Sequence, residues 1–373
     1  MKYWRGYLVA LIAAAGIWGL NTFAQTHSVL VDMVYPYTTR ILQTYLAQWS
    51  ADVNFCVWQV LLLMLAAVVL ASIVLMIIFK WNPIQWFGWI LAGVFLISLL
   101  NTGIYGLNEK AGSLAEDIRL EGTEYRYTVS ELEAAAAFYR DKANELADQV
   151  SRDSEGNLQF PSFAELAEQA GKGFEVLTYE QYYSVFAGST VPVKELGASD
   201  FFTARGITGL TVALTGESAV NPQIPAVSMP FAMCHEMAHR MCIAIDRDAD
   251  FAAFLACQAN PSPEFQYSAY FMAFHHCYEA MKTVDTGTSY AGQTALQNLE
   301  AGISAGLWQD LQTYAEFFGE KEALDNEVCD LLVIWHIQKY VLPLYEEEDE
   351  NPFDPKDENA VDLSGIVHAV TQA

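Results

Sequence analysis

Positive charge is what this chain has least of. Lys and Arg number 19 against 45 Asp and Glu, a formal net charge of −26 at pH 7. Such a chain is repelled by phosphate backbones and anionic lipid surfaces, so no nucleic-acid partner is expected. Charge of either sign is scarce: 17% of residues are charged and 53% are hydrophobic. That is too apolar for an ordinary soluble chain and points to membrane spans. The six cysteines form no C-x-x-C pair, which excludes the common cysteine-built zinc sites. Histidine numbers only seven in 373 residues, and no internal repeat is evident.

The long uncharged runs all lie in the first 106 residues. Three spans are expected, at about 7–24, 55–79 and 84–104. Lys2 and Arg5 before the first run also fit a signal peptide. Thr22-Phe23-Ala24 is a poor cleavage site, however, and favours an uncleaved span. Lys2, Arg5 and Lys80 then mark the cytoplasmic side. The segment Gln25 to Asn54 reads as an outer loop, and everything after about Tyr105 lies outside the cytoplasm. Residues 1–106 carry a net +2, so residues 107–373 carry −28. Cys56 falls in the second span. The other five cysteines (Cys234, Cys242, Cys257, Cys277 and Cys329) sit in largely apolar helical sequence and read as buried free thiols.

Residues 107–345 read as one α-rich domain of α+β type. Ser130-Glu131-Leu132-Glu133 and Ser162-Phe163-Ala164-Glu165 match the capping box that opens a helix. Gly209 to Leu214 suggests a strand, and Thr215 to Pro222 a turn-rich loop. Helices are expected at about 229–241, 246–258, 263–284, 290–318 and 321–345. Residues 346–373 are acidic and contain Pro, and read as a disordered tail.

What is present is His235-Glu236-Met237-Ala238-His239, an H-E-x-x-H sequence set in apolar flanks. On a helix, residues four apart share a face. Two imidazoles there can hold one metal ion, with Glu236 beside them as general base. Buried in apolar sequence, such polar groups need partners. The nearest acids for a third ligand are Asp246, Asp248 and Asp250. Were the helix to run straight on, Asp246 would lie roughly 10 Å beyond His239 along the axis. It can ligate only if the chain turns back between Arg240 and Ile245. Asp246 and Asp250 would share a helix face, so that one ligates while the other orients a ligand histidine. Asp248 is the alternative third ligand.

Several of these segments occur together in one known family. Thr215-Gly216-Glu217 with Asn221, Pro230-Phe231, the H-E-x-x-H helix, Asp246-x-Asp248-Ala249-Asp250-Phe251 and Tyr267-Ser268-x-Tyr270 resemble the bacterial membrane family named domain of unknown function 3810. The likeness runs from the third span to about Met281. It implies N-terminal spans and an outer, zincin-like metallopeptidase domain, with Asp246 as the third ligand in gluzincin fashion. The chain departs from the pattern in three ways. Cys242 stands where the family has Gly, Asp246 and Asp248 stand where it has Glu, and Asp250 stands where it has Asn.

Other polar residues are weaker candidates. Glu217 and Asn221 precede the motif and are candidates to bind substrate backbone or to support the metal histidines. Tyr267 and Tyr270 are candidates for oxyanion stabilisation. His275, His276 and His336 read as packing residues. The expected function is a membrane-anchored zinc metallopeptidase acting on peptide or protein substrates outside the cytoplasm, embedded in the lipid bilayer. Zn²⁺ would be held by His235, His239 and Asp246, Asp250 would support from behind, and Glu236 would take a proton from water. The alternative is a non-enzymatic membrane receptor or scaffold with a structural or degenerate zinc site. Intramembrane cleavage is disfavoured, because the motif lies over 100 residues beyond the third span.

Overall fold

The computed structural model describes residues 4–123, 125–284, 290–319 and 326–346. The expected acidic tail lies, from residue 347 on, outside the described residues.

The three apolar runs form helices α1 (Arg5–Thr26), α3 (Val57–Ile78) and α4 (Pro83–Ile104), each 22 residues long. At 1.5 Å per residue that is roughly 33 Å, enough to cross a hydrocarbon core. All three are long and apolar enough to span a membrane. Asn82 opens α4 by accepting the backbone N–H groups of Ile84 and Gln85, with Pro83 in the first turn. α1 and α4 pack along a seam of small residues. A Cβ on Gly6 would lie 2.4 Å from the carbonyl carbon of Gly88, so only glycine permits this approach. Ala10, Ala13 and Ala92 are buried, and Gly16 faces Leu99 farther on. Because Gly6 meets Gly88 and Gly16 meets Leu99, the two helices run parallel. α3 buries no residue. Near its far end Ser72 Oγ accepts from Trp86 Nε1 at 3.0 Å.

Between α1 and α3 the expected outer loop is instead a 23-residue helix, α2 (Ser28–Ser50), with Pro36 inside it. The proline and the mixed Thr/Tyr sequence hide its period. Thr39, Gln43, Ala47 and Ser50 are buried, a stripe of four- and three-residue spacing turned toward the domain that follows α4. Cys56 lies at the N-cap of α3 rather than within the span, with its thiol 3.4 Å from the Glu195 carbonyl.

The remainder is mainly helical. In chain order come α5 (Leu114–Asp117), α6 (Val129–Ala147), α7 (Phe163–Tyr179), strand β1 (Lys194–Glu195), α8 (Ser199–Thr203), β2 (Gly209–Val212) and β3 (Glu217–Val220). Then follow α9 (Met229–Arg240), α10 (Asp246–Ala259), α11 (Pro263–Thr283), α12 (Tyr290–Ala301), α13 (Ala305–Phe318), α14 (Asn326–His336) and α15 (Leu342–Glu346). A π-helical turn over Ile337–Val341 joins the last two. One apolar core runs from Leu114 to Ile337. α11 is buried on almost every side through its middle, Phe271–Tyr278.

Three local expectations change. The cap of α6 is Thr128, two residues before Ser130; its hydroxyl and the Glu131 carboxylate bond reciprocally. Thr128 and Ser130 both precede an acid by three or fewer residues, and only Thr128 leaves Glu131 at the third helical position. Residues 217–220, expected within a loop, form the central strand of a three-stranded sheet, order β1-β3-β2. All four are buried, and four small or polar residues carry no strand period. The helical stretch 290–318 breaks after Ala301, and Ser304 caps its second half. All six cysteines are buried free thiols.

Candidate metal centre

α9 carries His235, Glu236 and His239, and ends abruptly. The N–H of Cys242 bonds the carbonyl of His239 at 2.9 Å, and that of Ile243 bonds Ala238 at 3.1 Å. This reciprocal pair is a Schellman motif, which needs a residue in the left-handed region. Cys242 supplies it, at φ 71°. The turn back is therefore made, by a residue less suited to it than glycine. α10 then runs back along α9.

The consequence is two pairs of four-residue spacing facing each other. Asp246 lies by His239, with Oδ1 3.2 Å from Nε2. Asp250 lies by His235, with Oδ1 2.6 Å from Nδ1. His239 Nδ1 is 2.8 Å from the carbonyl of Ile243, an acceptor only, so Nδ1 carries the proton. The carboxylate of Asp250 sets the same tautomer on His235. Both Nε2 atoms therefore turn lone pairs to one point, and they lie only 3.0 Å apart. Two acceptors so placed repel unless a cation or a proton lies between them. One oxygen of Asp246 joins them, all three donor atoms falling within 4.8 Å of one another.

The local field agrees with the donor set. Burial alone would push the His235 imidazole down, but the charge and hydrogen bond of Asp250 outweigh it and raise the group to about 9. The hydrogen bond with His239 holds Asp246 below its ordinary value. Carboxylates that hold a proton here would equally hold a metal cation. Imidazole and carboxylate donors suit zinc. The residues thus fit that ion.

Glu236 is buried between α9 and β2. Thr211 Oγ1 lies 2.6 Å from its Oε2, and Ser218 Oγ donates to its backbone carbonyl at 2.8 Å. A Cβ on Gly209 would lie 2.5 Å from Glu236 Oε1, so glycine is what lets β2 pass this close. From the other side, Tyr105 at the end of α4 donates its hydroxyl to the His239 carbonyl at 2.9 Å. Thr39 and Arg40 of α2 reach Cys242 Sγ and the Met241 carbonyl at 3.3 and 2.9 Å.

Not every residue singled out from the sequence gathers here. Asp248 is directed elsewhere: it is buried, accepts the N–H of Leu114 at 2.9 Å and pairs with Arg247. Being two residues from Asp246 and Asp250, it leaves α10 on another face and does not join the two imidazoles. Glu217 is also spent. Its oxygens accept the N–H groups of Val57 and Trp58 and the ammonium of Lys194. Asn221 is fully buried and bonds Thr203, Ile207 and Gln223. Tyr267 bonds Asp310 in the core, and Tyr270 bonds Gln258. Each has a local partner away from the imidazoles. His275 packs on Tyr314 and His336 on Phe138. Thr211, Gly209, Ser218 and Tyr105 were missed. Only Gly209 left a signal, as a glycine opening a strand, which often marks close backbone approach.

The family model described as "Protein of unknown function (DUF3810)" matches residues 31–332. The chain belongs to that family. No curated protein and no solved structure matches it. In this DUF3810 member the matched region begins within α2 and ends within α14. It therefore takes in the helix beneath the candidate metal centre as well as the centre itself.

Proposed function

We propose that this protein is a membrane-anchored zinc metallopeptidase that hydrolyses peptide bonds outside the cytoplasm. The observation that carries the reading is the pair of Nε2 lone pairs converging with Asp246, beside a buried glutamate. His235, His239 and Asp246 would hold the ion, and Asp250 would keep His235 in the ligating tautomer. A bound zinc supplies Lewis acidity and brings the pKa of water toward about 7. Glu236, held by Thr211, takes the proton and returns it to the leaving amine.

Two further features support a peptide substrate and an outer site. β2 is an edge strand of its sheet and lies against Glu236 through Gly209. An extended peptide that added to this edge would pass the general base. Arg5 and Lys80 sit at one end of the three apolar helices and the large domain at the other, with α1 and α4 parallel. A non-enzymatic receptor or scaffold with a structural site is favoured less. Structural zinc takes four protein ligands, and three donors converge here among the described residues.

The test uses the full-length protein in detergent or vesicles. Zinc content is measured, and hydrolysis of a peptide library is followed for the native chain and Glu236→Gln. One zinc per chain with hydrolysis lost in the variant is expected. A chain that binds no zinc, or a zinc-loaded variant with full activity, would overturn the reading.

A further inference from the structure

α2 has two opposite faces. Thr39, Gln43, Ala47 and Ser50 are buried under the outer domain. At 100° per residue, Leu30, Val34, Tyr37, Ile41 and Tyr45 fall on the opposite side. All five are exposed, Tyr37 at 65% and Tyr45 at 68%. The helix has only two charged residues, and both turn to the protein. Asp32 accepts the N–H of Gly112 at 2.7 Å, and Arg40 donates to the carbonyls of Met241 and Ser184. The outward face is thus free of charge, aliphatic and aromatic, and runs roughly 22 Å from Leu30 to Tyr45. Trp49 extends it at 70% exposure.

The elements at its two ends identify what covers this face. α2 begins two residues after α1 ends, and α3 begins seven residues after α2 ends. Tyr35 also bonds the carbonyl of Thr102 near the end of α4 at 2.9 Å. Helices able to span a bilayer therefore leave from both ends of α2, while the domain packs on its other face and Tyr37, Ile41 and Tyr45 edge the cavity between the two. Tyr and Trp on an uncharged helix face are the composition of a membrane–water interface.

We propose that the outward face of α2 lies in the headgroup–acyl boundary of the bilayer, as an interfacial helix that carries the catalytic domain. This rests on the membrane-anchored part of the reading above and not on its zinc chemistry. It sets the height of the candidate metal centre. Thr39 and Arg40 hold the C-terminal end of α9 from the packed side of the same helix. The imidazoles therefore stand about one helix diameter, roughly 10 Å, above the lipid. Polypeptide close to the membrane surface is what such a site can reach.

The experiment uses the full chain in vesicles of phosphatidylethanolamine and phosphatidylglycerol. A fluorescent probe is attached at single added cysteines: Ile41→Cys on α2, Val68→Cys on α3 and Asp141→Cys on the outer domain. The native thiols are all buried and give low background. Quenching is read from lipids spin-labelled near the carbonyl and at mid-chain. Expected is Val68 quenched most by the mid-chain label, Ile41 most by the shallow label, and Asp141 by neither. Ile41 behaving like Asp141 while Val68 is quenched would overturn the interfacial helix and leave the spans standing. No quenching at any position would remove the membrane, and both readings with it. Disulfide formation between Ile41→Cys chains would put a second copy on this face and overturn the proposal.

Discussion

Two buried glutamates, one in a sheet and one on the helix packed against it, are treated in opposite ways. Glu217 at the start of β3 has its side chain fully enclosed, and every partner it has is a donor: two amides of α3 and the Lys194 ammonium. It is a structural joint, tying an apolar helix to the large domain. Glu236 on α9 is almost as buried, yet its carboxylate has a hydroxyl at Oε2 and a glycine against Oε1. One carboxylate is saturated and the other is held in place with capacity left. A saturated carboxylate is stable and inert; one with acceptor capacity left is what the proposed general base requires.

The largest effects should separate the two. Glu236→Gln is expected to lower kcat/KM by about a hundredfold to ten-thousandfold, the usual span for a general base. Zinc content and Tm should stay as in the native chain. Glu217→Gln should do the reverse. Breaking a buried pair costs about 3 kcal/mol, so a denaturation series should show a clear loss of stability with activity per folded molecule intact. Should Glu217→Gln abolish activity in fully folded protein, the two residues are not divided in this way.

The same division shows what could be read from sequence. The motif helix, the three apolar helices and the facing acids were legible because they rest on spacing: four residues put His235 with His239 and Asp246 with Asp250. α2 was not legible, since Pro36 and scattered threonines obscure its period, and its buried stripe is polar. β3 was not, because Glu-Ser-Ala-Val is a strand only by virtue of its central place. The roles of Glu217, Asn221 and Tyr267 depended on which partners the fold brings near. Lys194 is 23 positions from Glu217 and Asp310 is 43 from Tyr267, and no spacing rule reports such pairs. That Asp246 rather than Asp248 meets the imidazoles likewise depends on the angle at which α10 returns.

Among the acids of α10 the contrast recurs at smaller scale. Asp250→Ala should weaken zinc binding about 10–100-fold, as loss of a carboxylate behind a ligating histidine does, with little change in Tm. Competition with a chromogenic chelator reads this directly. Asp248→Ala should leave zinc affinity unchanged and cost about 1–3 kcal/mol, since it strips the buried Leu114 amide of its acceptor and Arg247 of one of its partners. An exchange of these outcomes would mean that Asp248, not Asp250, serves the metal.

The smallest effect concerns the turn that makes the site possible. Cys242 holds a left-handed conformation that costs an ordinary residue about 1–2 kcal/mol. Cys242→Gly removes that strain. It also removes the acceptor for Thr39 Oγ1, and frees the unfolded chain by about 0.5–1 kcal/mol. The balance predicts a Tm equal to or slightly above that of the native protein, with zinc affinity and kcat/KM unchanged, because the Schellman bonds are made by backbone alone. A marked fall in Tm would show that the thiol's contact with α2 outweighs the strain. Cys242 would then belong with Glu217, as a joint between the domain and the helices beneath it.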